Sequence, residues 1–357
     1  MKDRLYGVSL MNVEVPTLDR VAEEGARRRL DRLTKPQGSL GRLEDLAVQI
    51  AGMTGQPVPQ IGRKVIFTVA ADHGVVEEGV SAYPQSVTVQ MVLNFLRGGA
   101  GINVLARHVG AEVIVVDAGV AGEFPPMDGL IRWKIRPGTA NMAKEPAMSR
   151  SEAEQAVEAG MQIFTQVHEK GNIGLVGLGD MGIGNTTASS AITAVLTGSS
   201  VRAITGRGTG LEDAALDRKI QVIERVLHLH RPDPDDALDV LHKVGGFEIG
   251  CLAGITLAAA QRRVPIVLDG FITTAAALIA WRICPEVRHY LVASHRSVEP
   301  GHAAALKAMD LRPLLDLRLR LGEGTGAALA MGLVEAGCKI LAEMATFDEA
   351  GVDEKAE

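Results

Sequence analysis

The sequence predicts an α/β protein, a doubly wound parallel sheet flanked by helices, and two observations carry that prediction. Five short β-rich runs, KVIFTVAADHG from Lys64, EVIVVDAGV from Glu112, NIGLVGLGD from Asn172, VPIVLDG from Val264 and HYLVASH from His289, end in glycine or a polar turn. Continuous apolar runs of this kind are strands buried on both faces. Between them lie stretches long enough for crossover helices. Strand alternating with helix is the pattern of a parallel sheet that places its ligands at the carboxyl ends of its strands.

Taken in order, the first sixty residues hold no such run before Lys64. In LTKPQGSLGRLEDLAVQIAGMTG, Leu43, Leu46, Ala47 and Ile50 recur at helical spacing after the Pro36-Gln37-Gly38-Ser39 break, so this segment is expected to be helical. The third β-rich run passes through GLGDMGIGN into TTASSAI, small residues suited to a helix. In LEDAALDRKIQVIERVLHLH, Leu216, Ile220, Ile223 and Leu227 stand four, three and four residues apart, an amphipathic helix. From Gly324 the chain reads as a closing helix, GTGAALAMGLVEAGCKILAEMATF, and the final DEAGVDEKAE is expected to fray. The two chain ends, 1–60 and 308–357, are expected to pack as a small helical domain beside an α/β domain of 61–307. There is no internal repeat and no low-complexity linker.

Composition narrows the function. The net charge is −6 and only 3% of residues are aromatic, so neither a basic stripe nor a set of stacking rings points to nucleic acid. Cys251, Cys284 and Cys338 are odd in number, far apart and set among apolar neighbours, the pattern of reduced thiols and of a cytoplasmic protein. MKDRLYGVSLMNVEVP lacks the apolar core of a signal peptide, and runs such as TTAAALIAW are too short to cross a bilayer, so a soluble protein is expected.

Gly177, Gly179 and Gly182 match G-x-G-x-x-G after a strand. A dinucleotide site also requires an acid roughly 20 residues further on, where this chain has VRAITGRGTG. A triphosphate loop requires a lysine, and none lies between Gly177 and Thr197. What remains is Gly182, Gly184, Asn185, Thr186 and Thr187, N–H and hydroxyl donors at a helix start that suit a single phosphate. The competing reading is a tight strand-to-helix turn that binds nothing. GRGTGLED with Arg207, and VGGFEIG from Val244, add two further glycine turns on predicted strand-end connections.

Five blocks in this order, AADHGVVEEGVSAYPQSVTVQMVLNFLRGGAGINVLAR, GLGDMGIGNTTASSAI, GRGTGLED, VGGFEIGCLAGITLAAA and LRLGEGTGAALAM, resemble the nicotinate-nucleotide:5,6-dimethylbenzimidazole phosphoribosyltransferases. The likeness runs from about Leu30 to about Met344. It implies a homodimer with a Rossmann-like larger domain and a smaller helical domain drawn from both chain ends. The implied reaction transfers the phosphoribosyl group of nicotinate mononucleotide to 5,6-dimethylbenzimidazole with inversion at C1′, giving α-ribazole 5′-phosphate and nicotinate.

The resemblance makes Glu323, in the GEGTGAAL block, the general base that removes the azole N–H proton. Burial beside an apolar base raises such a carboxyl, and a helix starting at Gly324 or Thr325 lowers it; the sequence leaves the balance open. Asp180 stands where relatives carry glutamate, and its shorter side chain assigns it an assisting role near the base or ribose. Ser81, Tyr83 and Gln90, with Met181 and Leu321 as apolar walls, are the implied base pocket. Gly182, Gly184, Asn185 and Thr186, with Gly208 close by, are the implied phosphate cradle, and Asp269 and Ser294 are candidates for the ribose hydroxyls because both end predicted strands.

No metal and no cofactor is expected, because nicotinate departs with a neutral ring nitrogen and has no pyrophosphate charge to balance. His73, His295 and His302 do not form H-E-x-x-H, and the cysteines lack zinc-ligand spacing. Asp72-His73-Gly74 is read as a strand-end turn shaping the pocket, and Arg27-Arg28-Arg29 as a solvated face or subunit contact. Two rival functions remain: a non-catalytic protein that binds azoles or nucleotides, and a nicotinamide-dependent oxidoreductase using GLGDMG without the ribose-binding acid.

Overall fold

The computed structural model describes residues 13–208 and 210–353. Six strands form one sheet, paired in parallel throughout: β1 (Arg63–Ala71), β2 (Ala111–Gly119), β3 (Leu130–Arg132), β4 (Ile173–Met181), β5 (Ile266–Leu268) and β6 (Leu291–Ala293), in the order β3-β2-β1-β4-β5-β6. All five β-rich runs are strands. The unforeseen β3 has three residues on an outer edge, none of them buried, so no apolar run marks it. At the centre, Val65–Ala71 is buried throughout and pairs on both sides, Val65 lying opposite Glu112 of β2 and Val176 of β4. The register on β2 slips between Ala70 and Ala71, at the end of the strand that faces the site.

Helices cover both faces. The helix Arg150–Glu169, started by a Ser149–Glu152 capping box, lies against Phe247–Gln261 at backbone contact. A Cβ at Gly160 would overlap the Cys251 carbonyl, and one at Gly254 the Val157 carbonyl. The helices expected near the N-terminus are Arg20–Arg32 and Arg42–Thr54, and Asp213–His230 is the expected amphipathic helix.

The closing helix, Thr325–Glu343, straddles two clusters. Its first turns, from Ala327 to Val334, are buried in the main core, whereas Leu341 joins Ala26, Leu30, Leu33, Ala47, Val48 and Ala51 in a separate cluster with the N-terminal helices. This helix corrects the expectation that no run could cross a bilayer: by length and composition it could, though over half of it is buried within the protein. Of the segment expected to fray, the first residues are held: Phe347–Ala350 forms a helical turn capped by Thr346 and tied to Arg32 through Asp348. Residues 1–12, on which the reading of the leader rests, and residues 354–357 lie outside the described residues.

Candidate active site

In the order β3-β2-β1-β4-β5-β6 the winding reverses between β1 and β4, and a parallel sheet opens its ligand crevice at the carboxyl ends of that pair. β1 runs out into Asp72-His73-Gly74 and β4 into Met181-Gly182. Thr88, from the helix Ser86–Leu96, ties the two exits together. Its hydroxyl donates to Asp72 Oδ1 at 2.6 Å and accepts the Ile183 N–H at 3.2 Å. His73 is held by Glu248 (Nε2 to Oε1, 2.6 Å), with both side chains at most 1% exposed. These contacts support the reading of Asp72-His73-Gly74 as a turn that shapes the site.

The glycines answer to the protein more than to a ligand. At Gly179 a Cβ would overlap the Glu323 carbonyl, and at Gly184, whose φ is +98°, it would stand 2.8 Å from Val76 and 3.0 Å from His73. Gly182 is packed on the Ala71 carbonyl. Gly184 is the N-cap of the expected helix, Asn185–Thr197. The Asn185 side-chain amide, expected as a phosphate donor, is bonded to Asp180 Oδ2 at 3.0 Å.

Glu323 is 5% exposed, and its Oε2 accepts the Ile102 N–H at 3.2 Å at the start of the helix Gly101–Val109. Burial raises its carboxyl above the ordinary glutamate range against the pull of that bond. Asp180 lies across the same turn, its carboxylate oxygens 3.4 Å from where a Cβ on Gly322 would be. Burial, then the neighbouring carboxylates Asp269 and Glu248, push Asp180 well above its ordinary value, and its Oδ1 is buried without a partner. Two acids thus converge on Gly322–Glu323, and Leu321 stands beside them over Gly101.

The other end of the site holds a residue that sequence reasoning missed. Lys219, on the helix Asp213–His230, is fully buried, donates to Thr186 Oγ1 at 2.8 Å and reaches the Gly206 carbonyl at 3.4 Å. Burial pulls its ammonium down to about 8 against the opposing pull of the Glu299 carboxylate. The signal was present: Lys219 falls within the stripe formed by Leu216, Ile220 and Ile223, where a charge is out of place. Gly208 closes this end, its N–H donated to Glu299 Oε1 at 2.9 Å, and Glu299 Oε2 is buried without a partner. A cavity of about 260 Å³ adjoins it, lined by Arg296, Ser297, Val298, Glu299, Pro300, Ala303 and Asp316. Arg207 is spent on its own turn, through Leu211 and Asp213.

Asp269 and Ser294 are fully buried. The Asp269 carboxylate accepts N–H groups of Gly324, Gly326 and Ala327, and the Ser294 hydroxyl donates to the Asp269 carbonyl at 3.0 Å. Asp269 therefore caps the closing helix, and Ser294 holds Asp269 from below. Ser81 closes a turn on itself, accepting the Tyr83 N–H at 3.2 Å and donating to the Tyr83 carbonyl at 3.1 Å. Tyr83, Gln90 and Leu321 are exposed and Met181 is half-buried, so the implied base pocket has no closed wall in this structure.

Fold and site together define a doubly wound α/β enzyme in which two buried acids, Asp180 and Glu323, meet at one turn and a buried lysine meets Thr186 at the start of the helix after β4. A family model described as phosphoribosyltransferase matches residues 15–352, and the chain belongs to that family. It is 61% identical over 340 residues to the nicotinate-nucleotide–dimethylbenzimidazole phosphoribosyltransferase of Roseiflexus sp. (strain RS-1), covering 95% of this chain and 96% of that one. The protein of the same name from Chloroflexus aggregans is 59% identical, with the same coverage. The crystal structure of CobT from Thermus thermophilus superposes with a TM-score of 0.90 at 50% identity, covering 94% of this chain and all of that one.

Proposed function

We infer that this chain transfers the 5-phosphoribosyl group of nicotinate mononucleotide to 5,6-dimethylbenzimidazole, giving α-ribazole 5′-phosphate for the nucleotide loop of cobalamin. One observation carries the assignment of roles: a buried carboxylate, Glu323, whose carbonyl packs on Gly179 of β4, and a buried ammonium, Lys219, which donates to Thr186 of the helix that follows β4, both adjoin the exit of that strand. An unpaired buried charge is costly unless a ligand completes it. A 5′-phosphate does so for Lys219, Thr186 and the start of the Asn185 helix.

In the reaction, one azole nitrogen attacks C1′ from the face opposite nicotinate. The C1′–N bond to the pyridinium ring breaks, its electron pair stays on nicotinate, and the configuration inverts. The proton on the second azole nitrogen passes to Glu323, so the product ring is left neutral. A raised carboxyl makes Glu323 a stronger base than an ordinary glutamate. Asp180, which burial pushes well above its ordinary value and Asn185 holds in place, assists beside the ribose or base. Leu321 and Met181 supply apolar faces for the azole.

The separate cluster of Leu341 with the N-terminal helices supports a small helical domain made from both chain ends. Exposed Val104 and Leu321, flanking the helix start that holds Glu323, support a homodimer built against that rim. Three free, buried cysteines suit the reducing cytoplasm.

The test is to incubate the protein with both substrates and follow α-ribazole 5′-phosphate by chromatography. Product is expected, and Glu323→Ala is expected to remove most turnover while both ligands still bind. Wild-type turnover in that variant would defeat the assignment of the base; binding without any product would favour a carrier.

A further inference from the structure

Glu323 sits in a turn that a polypeptide does not adopt unaided. Gly322, Glu323 and Gly324 have φ values of 80°, 65° and 100°, three successive residues in the left-handed region. For a glutamate this conformation persists only where the surroundings impose it. The carbonyl side of the turn is held by hydroxyls: Thr68 donates to the Glu323 carbonyl at 3.0 Å and Thr325 to that of Gly322 at 2.9 Å.

The N–H side is held by Asp269. Its Oδ2 accepts the Gly324 N–H at 3.0 Å, and its Oδ1 accepts those of Gly326 at 2.6 Å and Ala327 at 3.2 Å. The closing helix has Gly324 as N-cap and no capping side chain of its own. The N–H groups that every helix start leaves unpaired are therefore taken by a carboxylate from another strand. Asp269 is itself immobilised: its N–H goes to the Thr273 hydroxyl at 3.0 Å, and its carbonyl receives Ser294 at 3.0 Å.

We propose that Asp269 is a positioning residue for proton removal: by gripping the N–H groups of Gly324, Gly326 and Ala327 it holds the Gly322–Gly324 turn left-handed and so fixes the Glu323 carboxylate at the azole N–H. The proposal rests on Glu323 as the base. It assigns Asp269 no contact with substrate and places its effect in kcat.

The test compares 5,6-dimethylbenzimidazole with 5,6-dichlorobenzimidazole, which has nearly the same outline and a more acidic N–H, using the full-length protein as wild type, Glu323→Gln, Asp269→Asn and the double variant. Asp269→Asn keeps the shape but replaces one acceptor oxygen with a donor. It is expected to lower kcat with the dimethyl base about 10- to 100-fold, as a small misplacement of a catalytic group does. The loss is smaller with the dichloro base, the nucleotide KM stays within about twofold, and the double variant is no slower than Glu323→Gln alone.

A raised nucleotide KM with kcat kept, an equal loss with both bases, or multiplicative losses in the double variant would each overturn the proposal. If Glu323→Gln shows no base-dependent loss, the assignment of the base fails and this inference with it. If Glu323→Gln shows it and Asp269→Asn does not, only this inference fails. Should Asp269→Asn not fold, Asp269→Glu, which keeps the charge and over-reaches by one methylene, is put through the same comparison with the same outcomes.

Discussion

Ile102 donates its backbone N–H to the Glu323 carboxylate at 3.2 Å, so an acid carried at the start of one helix is held by the start of another. That bond favours the ionised form, and burial opposes it and prevails, leaving the carboxyl raised. The base is thus oriented by a main-chain donor and, among the described residues, is not made weak by an ion pair.

The pH dependence of turnover follows. A base acts only when ionised, so activity falls as pH drops through the raised value, and the acid limb of kcat/KM is expected above the ordinary glutamate range of about 4.3. Steady-state rates across pH locate the limb, and Glu323→Gln is expected to remove it together with most of the activity. Asp180→Asn, which leaves Glu323 in place, is expected to keep the limb. A limb at or below the ordinary value would show that the Ile102 bond outweighs burial.

Lys219→Met keeps most of the side-chain volume and removes the cation. A hydrogen bond to a charged group contributes about 1.5–3 kcal/mol, so the KM for the nucleotide is expected to rise roughly 10- to 100-fold while that for the base stays put. In the wild type the ammonium is present below about 8 and lost above it, so kcat/KM for the nucleotide should decline as pH rises through that value. A variant whose base KM rises instead would place the phosphate elsewhere.

His73 and Glu248 are a buried pair whose disruption should appear in stability. Burial alone would lower the His73 imidazole, but the charge and hydrogen bond of Glu248, with Asp72 nearby, raise it overall. A raised histidine contributes stability that is full below its unfolded value of about 6.5 and fades as pH rises through the folded one. His73→Ala strands the Glu248 carboxylate, whose Oε2 already lacks a partner. Urea unfolding is expected to show a loss of about 3–5 kcal/mol, largest at pH 6 and below. A loss under about 1 kcal/mol would mean that water or a rearranged neighbour takes the place of the imidazole.

Much of the architecture was legible. Strands buried on both faces must be apolar along their whole length, which is why five of six announced themselves, and β3 did not because an edge strand with no buried residue carries no such demand. The glycine loop was legible, but not all of what shapes it: Gly179 and Gly184 are glycine because Glu323, Val76 and His73 press on them, and Lys219 meets Thr186 there from a separate helix. Asp269, an acid that ends a strand, meets a helix start that has no cap of its own, a partner no local pattern announces.

By itself the amino-acid order determined the parallel sheet, the helical chain ends, the place of the glycine loop and the family, because periodicity and block motifs are local and survive in a string of letters. Only the tertiary structure decided which groups meet and which way burial and partners shift their proton affinity. Glu323 meets Ile102 and Asp269 meets Gly326 across long stretches of chain, and Lys219 reaches Thr186 from a separate helix. Proton affinity is set by burial and by partners within a few ångströms, and neither is a property of neighbours along the chain.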